Sequence, residues 1–154
     1  MPIISESVRD FLSQQGFVIL STIDKKGRPH SACKGIVRIG SNDDIYLLDL
    51  YKRESFSNLK ANPCVSLTMV DEHNFKGFCL KGYAQIVHIA EASKDLLEIW
   101  ETRITSRIAA RLIKNIGADK PLKHHPEASL PAPAYFILVK IDQVVDLAPL
   151  KLKA

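Results

Sequence analysis

The chain has 154 residues, of which 46% are hydrophobic and 25% charged, with a net charge of +4 and a pI near 9.0. That size and composition predict a single globular domain over residues 1–154 with a core of its own. The cations are spread along the chain instead of forming a stripe, and no apolar run approaches the ~20 residues that span a bilayer, so neither nucleic acid nor a membrane is an expected partner. The opening MPIISESVRD has neither a basic start nor an apolar stretch, which leads us to expect a cytoplasmic protein. A mildly basic balance suits the holding of a small anion.

Ser7 to Gln15 predicts a short helix, with Ser7 and Asp10 in a capping-box-like start, Val8, Phe11 and Leu12 on one face, and Gly16 as the stop. Phe17 to Ile23 is rich in β-branched residues and predicts a strand. Asp24-Lys25-Lys26-Gly27 is a hairpin turn, and Pro29 to Ile39 returns as the second strand. A polar turn, Gly40 to Asp44, leads to a third strand over Ile45 to Asp49. A short helix follows from Ser55 to Ala61, with Phe56 and Leu59 facing inward, until Asn62-Pro63 stops it. Cys64 to Val70 alternates apolar and polar as a fourth strand. Gly77 to Val87 is the fifth, and Gly82 in its middle predicts a bulge or bend. Ala90 to Ile113 carries Leu96, Leu97, Trp100, Ile104, Ile108 and Leu112 at helical spacing, which reads as core packing. Gly117 to Pro133 is broken by three prolines, and Ala134 to Val145 is the last strand. Short strands, hairpin turns and few helices predict a mainly β protein: a closed barrel with peripheral helices.

Cys33, Cys64 and Cys79 are an odd number with no CxxC pair, which argues against both a disulfide framework and a zinc site. They are expected as small buried hydrophobes. His30, His73 and His88 are expected at the surface. The pair His124-His125, in the proline-broken segment, has no carboxylate or cysteine at metal-binding spacing.

The stretch most telling for function is IYLLDLYKRESFSNLKANPCVSLTMV, residues 45–70. Its turn Tyr51-Lys52-Arg53-Glu54-Ser55 puts two cations and a hydroxyl at a helix start. Helix N-termini carry unpaired N–H groups and partial positive charge, the requirements of a phosphate site. A phosphate site in a small β-rich protein points to a phosphorylated cofactor; the plain alternative is that Lys52 and Arg53 are ordinary solvated charges. Strict alternation along the second strand predicts that Lys34, Ile36 and Arg38 share one face, adding two more cations.

Together with GFVILSTIDKKGRPHSACKGIVRI, GFCLKGYAQIV and AYFILVKIDQVVDLAPL, this stretch resembles the pyridoxamine 5′-phosphate oxidase-like, FMN-binding split-barrel superfamily from about Phe11 to Leu150. The run NLKANP after the short helix is its most specific part. The resemblance implies a six-stranded Greek-key split β-barrel and a homodimer that holds FMN at the subunit interface. It implies a phosphate grip by Lys34 and Arg38 of the second strand and by Lys52, Arg53 and Ser55 of the turn. The backbone of Gly35, Ile36 and Val37 is implied along the flavin ring, with Lys76 and Gly77 as a further ring contact. The oxidase itself carries Ser-Arg-Lys where this chain has Arg53-Glu54-Ser55, and it has a C-terminal substrate-binding extension that this sequence does not show, so vitamin B6 oxidation is not expected. The activity implied is that of an FMN-dependent oxidoreductase of a small substrate or electron donor. The alternatives are a non-catalytic flavin carrier or electron-transfer module, or a relative that binds haem or a deazaflavin, with His124 or His125 as the haem ligand.

Overall fold

The computed structural model describes residues 1–103, 106 and 132–152. The far part of the long helix expected to Ile113, the proline-broken segment from Gly117 and the pair His124-His125 lie outside the described residues. Six strands run in chain order: β1 (Phe17–Ile23), β2 (Pro29–Ile39), β3 (Asp44–Asp49), β4 (Cys64–Asp71), β5 (Lys76–His88) and β6 (Tyr135–Asp146). They close, all antiparallel, into a barrel in the order β1-β2-β3-β6-β5-β4. Closure leaves no unpaired sheet edge.

Alternation fills the barrel. Val18 and Leu20 of β1, Ile45 and Leu47 of β3, Leu67 of β4, Leu80 of β5 and Ile137 and Val139 of β6 point inward and are essentially buried. Gly82 is where β5 changes register against β6. A Cβ there would collide with the Lys140 carbonyl oxygen and lie 3.0 Å from the Ile141 Cα, so the close approach of two backbones requires glycine.

Two helices close the ends. Helix α1 (Glu6–Ser13) starts at Ser5, not Ser7, because the Ser5 backbone is extended and its hydroxyl accepts from the Val8 N–H. It covers the end where β2 finishes and β5 begins: Phe11 meets Phe78 edge-on at 5.2 Å, Arg9 donates to the Gly40 carbonyl, and the Asp43 carboxylate accepts the N–H groups of Ile3 and Ile4. Helix α2 (Glu54–Ala61) covers the other end, with Phe56 edge-on to Tyr135 at 4.9 Å and Asn58 donating to the Thr22 hydroxyl. A third helix, α3, over residues 94–103, starts later than Ala90 because the chain first makes a tight turn at Ile89–Glu91 and Ser93 then caps the Leu96 N–H. It packs Leu96 on Val37 and Phe136 outside the barrel, and Trp100 joins that cluster as expected. No helix among the described residues is long and apolar enough to cross a membrane.

The cysteines depart from expectation. Cys33 and Cys64 are exposed and Cys79 is half-buried. Cys33 pairs across from Ile19 and Cys64 across from Tyr83, each on the outward phase of its strand, so alternation in a one-sided barrel overrides the usual burial of cysteine.

Candidate functional site

Helix α2 opens without a cap. Its N-cap position is Arg53, whose side chain makes no capping bond, and arginine lacks the short acceptor that usually does so. Among the described residues, no acceptor meets the N–H groups of Glu54, Ser55 and Phe56. Ser55, in the first turn, is only 4% exposed as a residue; its hydroxyl has no hydrogen-bonding partner among the described residues and keeps an opening to solvent. Three backbone donors and one hydroxyl donor thus lie in the first turn of the helix, where the macrodipole favours an anion.

Lys52 and Arg53 flank this point and are exposed. Lys52 rests over the Phe56 ring at 5.3 Å and Arg53 over the Tyr51 ring at 5.0 Å. Such exposed contacts are worth ~0.5–1 kcal/mol, less than a charge-assisted hydrogen bond. Both cations can therefore be drawn onto an arriving anion. Glu54 brings a negative charge and lies 3.6 Å from the His30 ring of β2. His30 is in consequence half-buried against α2, not a free surface residue.

The other residues singled out from the sequence lie apart from this turn. Lys34 points into the barrel and pairs with Asp49 at 2.8 Å, both largely buried. Tyr135 donates to the same Asp49 oxygen at 2.6 Å. Burial first, then the bond to Asp49, push the Tyr135 phenol far above its usual pKa, so it stays a donor. Arg38 does not share the face of Lys34. The β2–β3 register shifts between Ile36 and Arg38, a bulge that turns Val37 and Arg38 outward together. Arg38 lies over the Tyr46 ring at 4.6 Å, beside Asp95 and Glu98 in a cleft of ≈ 520 Å³ under α3, about 13 Å along the strand from Lys34.

Gly35 faces outward between Phe17 and Leu48, where a Cβ would press on the Leu48 side chain at 3.3 Å. The Ile36 backbone is engaged on both sides: its N–H donates to Gly16 and its carbonyl accepts from Arg103. Val37 is covered by α3. Lys76 and Gly77 open β5 at the α1 end, in a cleft of ≈ 480 Å³ with Asp10 and Asp146. Within one chain, then, the structure brings Lys52, Arg53 and Ser55 together, sets Lys34 beneath them, and holds Arg38, Lys76 and Gly77 towards the far end.

Two groups escaped the sequence reading: the inward Asp49 and its donor Tyr135. A carboxylate on the inward phase of IYLLDL was the available signal, since such a charge demands a partner.

Comparison with known proteins gives the fold a context. The family described as pyridoxamine 5′-phosphate oxidase matches residues 4–144. Among solved structures, HupZ of Group A Streptococcus superposes with a TM-score of 0.64 at 15% identity, covering 94% of each chain. A protein described as F420 reductase gives 0.58 at 20% identity, covering 92% of this chain and 98% of its own. HutZ of Vibrio cholerae, described as a haem storage protein, gives 0.55 at 18% identity and 94% of each. A search of curated proteins gave no match.

Proposed function

Because this chain belongs to the pyridoxamine 5′-phosphate oxidase family, we propose that it binds FMN as a homodimer and acts as a flavin-dependent oxidoreductase on a small substrate. The observation that carries this reading is the donor set at α2: uncapped first-turn N–H groups and the Ser55 hydroxyl, without a partner among the described residues, flanked by Lys52 and Arg53. A phosphate monoester near charge −2 fits that set, because bonds to ionised acceptors are about twice as strong as neutral ones. When bound, FMN supplies the electron-transfer chemistry through its ring. The chain's own part is binding and orientation. Ser55 and the α2 amides donate to the phosphate, and Lys52 and Arg53 neutralise it.

The dimer is supported by the outward face of β1 and β4. Phe17, Ile19 and Val70 are 59%, 40% and 60% exposed there, and Cys33 is exposed beside them. An apolar patch of this kind marks a protein contact. A second copy on this face also answers the separation of Lys76 and Gly77 from α2: the two ends of one ligand are then served by two subunits.

One observation speaks for the second reading, a carrier or electron-transfer module. The buried carboxylate beneath the turn, Asp49, is committed to Lys34 and Tyr135. Haem and deazaflavin are separated from FMN by titration. The purified protein, titrated with FMN, haemin and a deazaflavin in turn, is expected to quench FMN fluorescence at one flavin per subunit. A haem Soret band with no FMN uptake transfers the reading to haem, and saturable binding of the deazaflavin alone transfers it to that cofactor. Fast turnover of reduced nicotinamide with an acceptor decides for the oxidoreductase over the carrier.

A further inference from the structure

Beneath the phosphate turn, three strands each contribute one polar side chain to the barrel interior: Lys34 from β2, Asp49 from β3 and Tyr135 from β6. Asp49 stands directly across from Tyr135 in the β3–β6 register, and Lys34 lies one step beyond the Gly35–Leu48 pair of β2 and β3. The Lys34 ammonium and the Tyr135 hydroxyl meet the same Asp49 oxygen, at 2.8 and 2.6 Å. Lys34 is 10% exposed and Asp49 9%. Charges so far from water persist only when paired. The pairing uses Lys34 up, and a phosphate seeking that ammonium would have to approach a carboxylate.

The row is tied to the turn at two points. Asp49 is the last residue of β3, four positions before Arg53, and its carbonyl is held by the Ala134 N–H at 2.8 Å. Phe56, next to Ser55, sets its ring edge-on against Tyr135 at 4.9 Å and 67°. Side chain and backbone together therefore fix where the chain leaves the sheet and how the first turn of α2 sits on the barrel.

We propose that Lys34, Asp49 and Tyr135 are positioning residues for the phosphate turn, so that Lys34 supports cofactor binding through Asp49 without touching the cofactor. This rests on the FMN reading. It replaces the expectation that Lys34 grips the phosphate directly.

The test is FMN affinity as a function of ionic strength. Lys34→Met alone leaves the Asp49 charge uncompensated and is expected to weaken FMN binding about tenfold. The triple variant Lys34→Met/Asp49→Leu/Tyr135→Phe replaces the row with apolar side chains of similar size. It is expected to restore affinity to within about threefold of wild type, with the same ionic-strength dependence, because the contacting charges remain. A folded triple variant that stays tenfold weaker, with a shallower ionic-strength dependence, overturns the proposal and makes Lys34 a phosphate ligand. Should the triple variant fail to fold, Tyr135→Phe decides: about threefold weaker binding at unchanged ionic-strength dependence supports the positioning role, and unchanged affinity overturns it. Wild-type protein that takes up no FMN sinks the cofactor reading along with this one, whereas binding by wild type with failed rescue sinks this one alone.

Discussion

Replacing Ser55 with alanine separates a ligand-binding role from a structural one, because the two predict opposite signs. The residue is 4% exposed, and its hydroxyl has no partner among the described residues and sits in the first turn of α2. In the absence of cofactor its removal costs no hydrogen bond to a described residue and exchanges serine for a better helix former. The expected result is a gain of about 0.5–1 kcal/mol, a rise of roughly 1–4 °C in Tm for a chain of this size. Bound FMN loses a hydrogen bond to a charged group, ~1.5–3 kcal/mol, which raises Kd roughly 10- to 150-fold. Thermal melts of cofactor-free protein and flavin-fluorescence titrations measure the two quantities on one preparation. A loss of stability with unchanged FMN affinity would refute the reasoning, since it would make Ser55 an ordinary structural hydroxyl. Arg53→Ala added to Ser55→Ala is expected to bring the total loss to about 2–4 kcal/mol, less than the sum because both act on one phosphate.

Gly82→Ala drives a Cβ into the Lys140 carbonyl and should destabilise the barrel by ~3 kcal/mol, read in denaturant melts; a cost below 1 kcal/mol would mean the β5–β6 approach is looser than described. Asp43 accepts the Ile3 N–H and then the Ile4 N–H, which lowers its pKa in the folded state, so its contribution is present above the carboxylate's unfolded value near 4 and is lost as pH falls through the lowered one. Asp43→Asn should therefore flatten the acid limb of stability against pH below about 4, and an unchanged limb would show that the N-terminal strap does not contribute. Phe17→Asp together with Val70→Asp places charges on the exposed β1–β4 face and should give a monomer by sedimentation with FMN binding at least tenfold weaker; a dimer that persists would move the interface elsewhere.

Much of the fold was legible because its determinants are local. The β-branched run Phe17–Ile23 gave β1, whereas its inward face (Val18, Leu20 and Thr22) came only from the structure, because Phe17 to Leu20 are all apolar. Gly82 announced its bulge because only glycine allows the backbones so close. The bulge at Val37 had no such marker. Reading the alternation straight through β2 joined Lys34 and Arg38 on one face, whereas the register shift puts one inside the barrel and the other under α3. The ion pair of Lys34 was equally hidden, since its partner network joins Asp49 to Tyr135, 86 residues away, through the non-sequential β3–β6 pairing. The turn before α2 was legible as two cations and a hydroxyl at a helix start. That Ser55 is largely covered became visible only once α2 was set on the barrel end.

The most direct test is a crystal structure of the protein with FMN. The account predicts a phosphate oxygen about 3 Å from the Ser55 Oγ and from the first amides of α2, with Arg53 swung off the Tyr51 ring to meet it. A phosphate bound elsewhere, or an α2 terminus that stays as it is in the cofactor-free chain, would contradict it.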